Sequence, residues 1–283
     1  MNAASDASLV IPSVPYPPSG GYMDPQLQLY FNIGLWIVTA AFTWLAYRKT
    51  RESGSPLPLL VLVGGGLCCL IEPIVDVLGL CWFWPEGQFP LFELFGRPIP
   101  SFLLPTYIFY VGGQAIYTWE RMEKGETMLG LFKLYAIYMV VNVLLESPPL
   151  YMGLYTYYGA QPLRLGLFPT WWMFTNAAMP MVLGALIYTL RPYLSGWKVL
   201  LIVPLMPMGD ALTNGAIAWP TWIALNSTDN LVLTTAAALL SGVFGLIVIW
   251  VLGIAVATDS PVRSAARAGT ASGTGMHLGR KAA

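Results

Sequence analysis

Residues 58–82 read PLLVLVGGGLCCLIEPIVDVLGLCW, an apolar run of membrane-crossing length interrupted only by Glu72 and Asp76. About 20 apolar residues span the ~30 Å hydrocarbon layer as a helix. An ionisable group at that depth costs a few kcal/mol unless it faces a partner or a water-filled cavity. Four-residue spacing puts both acids on one helix face, so this helix aims a polar stripe inward.

The pattern recurs along the chain. Asn142 and Glu146 are four apart in a second apolar segment, Asp210 and Asn214 in a third, and Asn176 stands alone in a fourth. Apolar segments cover about 29–47, 58–82, 102–119, 128–148, 167–190, 198–224 and 231–257. The expected fold is therefore all-α, a polytopic membrane protein built as a seven-transmembrane-helix bundle over residues 29–257. Residues 1–28 are rich in Pro, Gly and Ser and read as an extended or disordered lead in which Val10, Ile11 and Val14 are available to pack on the bundle mouth. Residues 258–283 read as a disordered basic tail. The first basic residue is Arg48, so no positive n-region precedes an apolar stretch and no secretory signal peptide is expected.

Composition agrees: of 283 residues, 56% are hydrophobic and only 10% charged, too few charges to cover a soluble surface. A net charge of zero gives no reason to expect nucleic acid as a partner; the lipid bilayer is the expected one, and oligomeric state is not encoded in any motif. Eleven of the fourteen Lys and Arg fall in the loops after the first, third and fifth segments or in the tail. The positive-inside rule then sets the N-terminus outside and the C-terminus in the cytoplasm. Such a chain belongs in the plasma membrane of a bacterium or the endoplasmic reticulum of a eukaryote. Cys68, Cys69 and Cys81 read as small buried hydrophobes rather than a disulfide framework, and Gly64, Gly65 and Gly66 as a close helix contact rather than a phosphate loop. The single histidine, His277, leaves no imidazole cluster for iron. No aspartate-rich repeat for magnesium diphosphate occurs on two helices, and no lysine sits in the last segment for a retinal Schiff base. No metal site and no cofactor are expected.

Counted at 1.5 Å per residue from the inner helix ends, the acids and amides lie roughly 18–27 Å up. Helices with unrelated polar needs would scatter in depth; this coincidence points to one cavity opening toward the outer side. Pro73, Pro180, Pro204 and Pro207 bend or interrupt helices in the same region. Polar packing alone is the plainer use of such residues, but membrane polar contacts average only ~0.6 kcal/mol, so four carboxylates are a costly way to obtain it. Two carboxyls on one face in a low-dielectric site do not both ionise cheaply, which leaves one as a proton donor. Its targets in a membrane are an alkene, an epoxide or a carbonyl on a lipophilic molecule. The candidate acid–base residues are Glu72, Asp210, Asp76 and Glu146. Asn142, Asn176 and Asn214 are candidate binding groups, with Tyr107, Tyr110, Tyr138, Trp172 and Trp219 as aromatic walls that steady a developing cation.

With Glu72 in CCLIEPIVDVLG and Asp210 in PLMPMGDALTNG, the chain resembles the small integral-membrane terpene cyclases of fungal meroterpenoid and indole-terpenoid pathways and their bacterial relatives. The resemblance covers roughly residues 29–257 and lies in architecture and acid placement: about seven helices, compact loops, and an intramembrane Glu and Asp on different helices. It implies protonation of an alkene or epoxide of a linear prenyl chain, joined to an aromatic or indole head, followed by carbocation cyclisation without metal or nucleotide. Asp76 and Glu146 go beyond what the resemblance calls for. The alternative from another class is a proton-coupled carrier of a small or lipophilic solute, since buried acids also relay protons; carriers usually carry repeated halves, and no internal repeat is evident here.

Overall fold

The computed structural model describes residues 15–260. Val10, Ile11, Val14, His277 and all but the first three residues of the 258–283 tail lie outside it. Among the described residues, six helices are long and apolar enough to cross a membrane: Pro25–Ser53, Leu57–Gly79, Met128–Tyr151, Trp172–Tyr193, Gly196–Leu225 and Leu231–Val256.

The first, α1 (Pro25–Ser53), starts where the Asp24 carboxylate accepts from the backbone N–H groups of Gln26 and Leu27 and Pro25 fills the first turn; it stops at Gly54, which takes the left-handed conformation that favours glycine. The second crossing is broken. Helix α2 (Leu57–Cys68) passes through a 3₁₀ turn at Cys69–Ile71 into α3 (Glu72–Gly79), because Pro73 has no N–H to give back to the preceding turn. Thereafter come α4 (Leu103–Tyr107), a π-helical turn at Ile108–Gly113, and α5 (Gln114–Glu123), helical without a gap from Leu103 to Glu123. The rest of the bundle is α6 (Met128–Tyr151), α7 (Trp172–Leu190), α8 (Ile202–Leu225) and α9 (Leu231–Val256).

Helix α2 is the hub. A Cβ on Gly64 would stand 2.5 Å from Met206 of α8, and one on Gly65 would stand 2.7 Å from the backbone of Gly112 in the π turn. The glycine run thus lets α2 touch two neighbours backbone to backbone, as close helix contact requires. Cys68, Cys69 and Cys81 are buried free thiols.

The described residues are mostly helical, consistent with the all-α polytopic expectation, and short strands are added to the bundle in its connections. Six short strands pair as three antiparallel ribbons: β1 (Cys81–Phe83) with β4 (Tyr155–Tyr157), β2 (Pro90–Leu94) with β3 (Arg97–Pro100), and β5 (Arg164–Leu165) with β6 (Phe168–Pro169). All lie at one end of the bundle, in the connections α3–α4 and α6–α7. The apolar run 58–82 therefore does not stay helical to its end: Leu80 takes a left-handed conformation and turns the chain into β1. For the same reason 167–190 becomes helical only at Trp172, its first residues being used in β6. Arg97 ties the β1–β4 cap together, donating to the Cys81 carbonyl at 2.5 Å and to the Tyr158 hydroxyl at 2.7 Å, with its guanidinium over the Trp82 ring. Burial raises the Tyr158 phenol above its usual range, against the pull of the adjacent Arg97 cation.

Candidate functional site

Beneath the β1–β4 cap lies a cavity of about 810 Å³, mouth included. Glu72, Asp76, Asn142, Glu146, Asn176 and Asn214 all line it, so three helical columns and α7 do converge their polar groups on one space. The local reasons differ. Glu72 opens α3 directly after the 3₁₀ turn, which swings its side chain toward α4. Asp76 follows one turn later on the same face, and Glu146 repeats that relation to Asn142 on α6.

Each glutamate is paired with a phenol. The Tyr107 hydroxyl, at the end of α4, donates to Oε2 of Glu72. The Tyr155 hydroxyl, on β4, donates to Oε2 of Glu146, which also accepts from the Tyr157 hydroxyl at 3.3 Å. Asn176 Nδ2 stands 3.4 Å from the other Glu146 oxygen, Oε1. By contrast, Oε1 of Glu72 takes no hydrogen bond from any described residue. Burial, and after it the neighbouring Glu146 carboxyl, push the Tyr155 and Tyr157 phenols well above their usual range, so both keep their protons as donors.

None of the four acids takes part in an ion pair among the described residues. Asp76 Oδ2, the Tyr110 hydroxyl oxygen, Asn142 Oδ1 and Trp172 Nε1 are buried at the cavity wall without a hydrogen-bond partner. Buried polar atoms are as a rule satisfied, so these four are unmet hydrogen-bonding capacity gathered around one space. No three His, Cys, Asp or Glu side chains among the described residues are placed to hold a metal ion.

The remaining walls mix aromatic rings with aliphatic side chains such as Val75, Leu103, Val111, Leu145 and Met179. Tyr107, Tyr110 and Trp172 face the cavity, as expected from sequence, together with Phe31, Phe83 and Phe102. Trp172 stacks on Trp171 at 4.2 Å and meets Tyr157 at 6.1 Å, which fixes its ring.

Three sequence expectations land elsewhere. Asp210 is fully buried but does not line the cavity; it sits behind Asn214, whose Nδ2 donates to its Oδ1 at 3.0 Å. Tyr138 lies outside the cavity, its hydroxyl sharing a 2.9 Å hydrogen bond with Thr118 and donating to the Gln114 carbonyl at 3.1 Å, so it clamps α6 to α5. Trp219 is 46% exposed with its ring against Phe244. It follows Asn214 by five residues, about 140° around the helix at 3.6 residues per turn, which turns it away from the polar face. In the other direction, sequence reading missed Tyr155, Tyr157 and Phe83. Their signal is the alternation in YTY, 155–157, which places both tyrosines on one face of a strand.

Six long apolar helices with an acid-lined cavity among them define a mostly helical, polytopic membrane protein. Comparison with known proteins returns no matching family model, no similar curated protein and no similar solved structure.

Proposed function

We propose that this protein is an integral-membrane, acid-initiated cyclase of a lipophilic substrate, of the terpene cyclase kind: a carboxylic acid protonates an alkene or epoxide of a linear prenyl chain and the cavity guides the resulting carbocation. One observation carries this reading. Glu72 presents an oxygen free of protein hydrogen bonds to a cavity walled in part by aromatic rings, while its other oxygen is held by Tyr107. A proton on Oε1 is thereby aimed at a guest, and the Tyr107 hydrogen bond steadies the carboxylate left after transfer. The π faces of Trp172, Tyr107 and Phe83 surround the positive charge that forms. Asp210 acts through Asn214, as a positioning residue rather than a donor.

In this reading the continuous helical run Leu103–Glu123 is the seventh crossing, lower than the others in apolar character because Thr106, Gln114, Thr118 and Glu120 lie within it. The excess of Lys and Arg at the opposite end from the β ribbons supports an orientation with those ribbons and the cavity mouth on the outer side.

The test is made in membranes holding the wild type or Glu72→Gln, supplied with prenylated and epoxyprenylated aromatics without added metal, with products read by mass spectrometry. The wild type yields isomers of unchanged mass. Glu72→Gln, which keeps size and hydrogen bonding, lowers turnover by roughly 100-fold or more at unchanged expression and melting. Uptake of an unaltered solute driven by a pH gradient in the same vesicles would identify a carrier instead.

A further inference from the structure

The two glutamates of the cavity are not equivalent, and the difference assigns them opposite tasks. Glu72 has one phenol partner and one unbonded oxygen. Glu146 has donors on both oxygens, two tyrosine hydroxyls on Oε2 and Asn176 on Oε1, an arrangement that suits a group kept as an acceptor. Its chief partner, Tyr155, reaches it from a different element, the β4 strand of the cap, and itself lines the cavity. Phe83 packs against the Tyr155 ring at 5.0 Å, and the β1–β4 register holds these two residues opposite each other.

We infer that Tyr155 and Glu146 form a proton-accepting relay that ends the reaction begun at Glu72, an assignment that rests on the proposed cyclase reading. The steps balance. Glu72 gives its proton to one carbon of the substrate alkene, whose π pair forms the new C–H bond and leaves a cation. A second π bond closes the ring and passes the charge on. A C–H bond beside the final cation then breaks, its electrons form the product alkene, its proton goes to the Tyr155 oxygen, and the Tyr155 hydroxyl proton moves to Glu146 Oε2. One proton has left Glu72 and one has arrived at Glu146, so product and substrate have equal mass, and exchange with water at the cavity mouth resets both groups. Tyr155 is then a catalytic residue that touches substrate, Glu146 the base behind it, and the pair determines where the product double bond forms.

Product distribution separates this role from a structural one. With the same prenylated aromatics, Tyr155→Phe and Glu146→Gln are expected to go on consuming substrate, while the wild-type product falls roughly 100-fold relative to misplaced alkene isomers and alcohols formed by water capture. An unchanged product ratio in both variants would overturn the assignment. So would loss of substrate consumption matching Glu72→Gln, which would make the pair part of initiation, or loss of folded protein in both variants, which would make it a structural brace. A wild type that leaves every probe unaltered would overturn the cyclase reading itself, a result distinct from the three others.

Discussion

Asn214 is the residue on which the buried acid of α8 depends. Its Nδ2 supplies the one side-chain hydrogen bond that Asp210 Oδ1 receives, while Asp210 Oδ2 has no partner. Removing the amide leaves a buried carboxyl stripped of that bond, at a cost of about 1–3 kcal/mol. Asn214→Leu is therefore expected to lower the melting temperature in detergent by several degrees. Trp219→Leu, one and a half turns further on but facing outward, leaves both melting and turnover unchanged. Equal effects of the two substitutions would show that Asn214 only fills space. The four-residue spacing of acids and amides was enough to find this cluster from sequence, because on a helix spacing alone fixes the face. Spacing also separates Trp219 from it, a distinction that counting aromatics near the outer helix ends does not make.

Among the elements, α2 and the π turn determine how closely the walls of the cavity approach. Gly65 faces Gly112 so tightly that a methyl group would meet backbone atoms, which have no freedom to move aside. Gly65→Ala is expected to destabilise by about 1–3 kcal/mol, as overpacking does. Gly215→Ala, where nothing lies within 4 Å, is expected to be neutral or slightly stabilising; thermal melting of the two variants side by side checks this, and equal tolerance would contradict the packing described. The helices were legible from their apolar lengths and polar faces. Their ends and the ribbons were not. Strands of two to five residues carry too little periodicity to register against flanking apolar runs, and at the turn that converts helix to strand the left-handed residue is Leu80 rather than the neighbouring Gly79. That is why Tyr155 and Tyr157, brought back to Glu146 by the end of α6, a short turn at 152–154 and the pairing of β4 with β1, escaped a reading based on helix faces.

At the scale of the whole molecule, the acids and amides of the cavity lie toward the end that carries the ribbons, and most of the basic residues, Arg97 and Arg164 excepted, toward the other. The substitution Leu165→Cys, at a position 59% exposed in the β5–β6 ribbon, is expected to give a thiol that reacts with a membrane-impermeant reagent added outside intact cells, whereas Lys124→Cys is expected to react only after permeabilisation. The reverse pattern would invert the protein and turn the cavity mouth to the cytoplasm. The central claim, that Glu72 delivers a proton from this cavity to a lipophilic guest, is tested most directly by running the wild type in deuterium oxide with a prenylated aromatic and measuring isotope content of the product. One solvent deuterium per product molecule, absent with Glu72→Gln, is the predicted result. An unaltered molecule that gains no deuterium and accumulates inside vesicles under a pH gradient would contradict it.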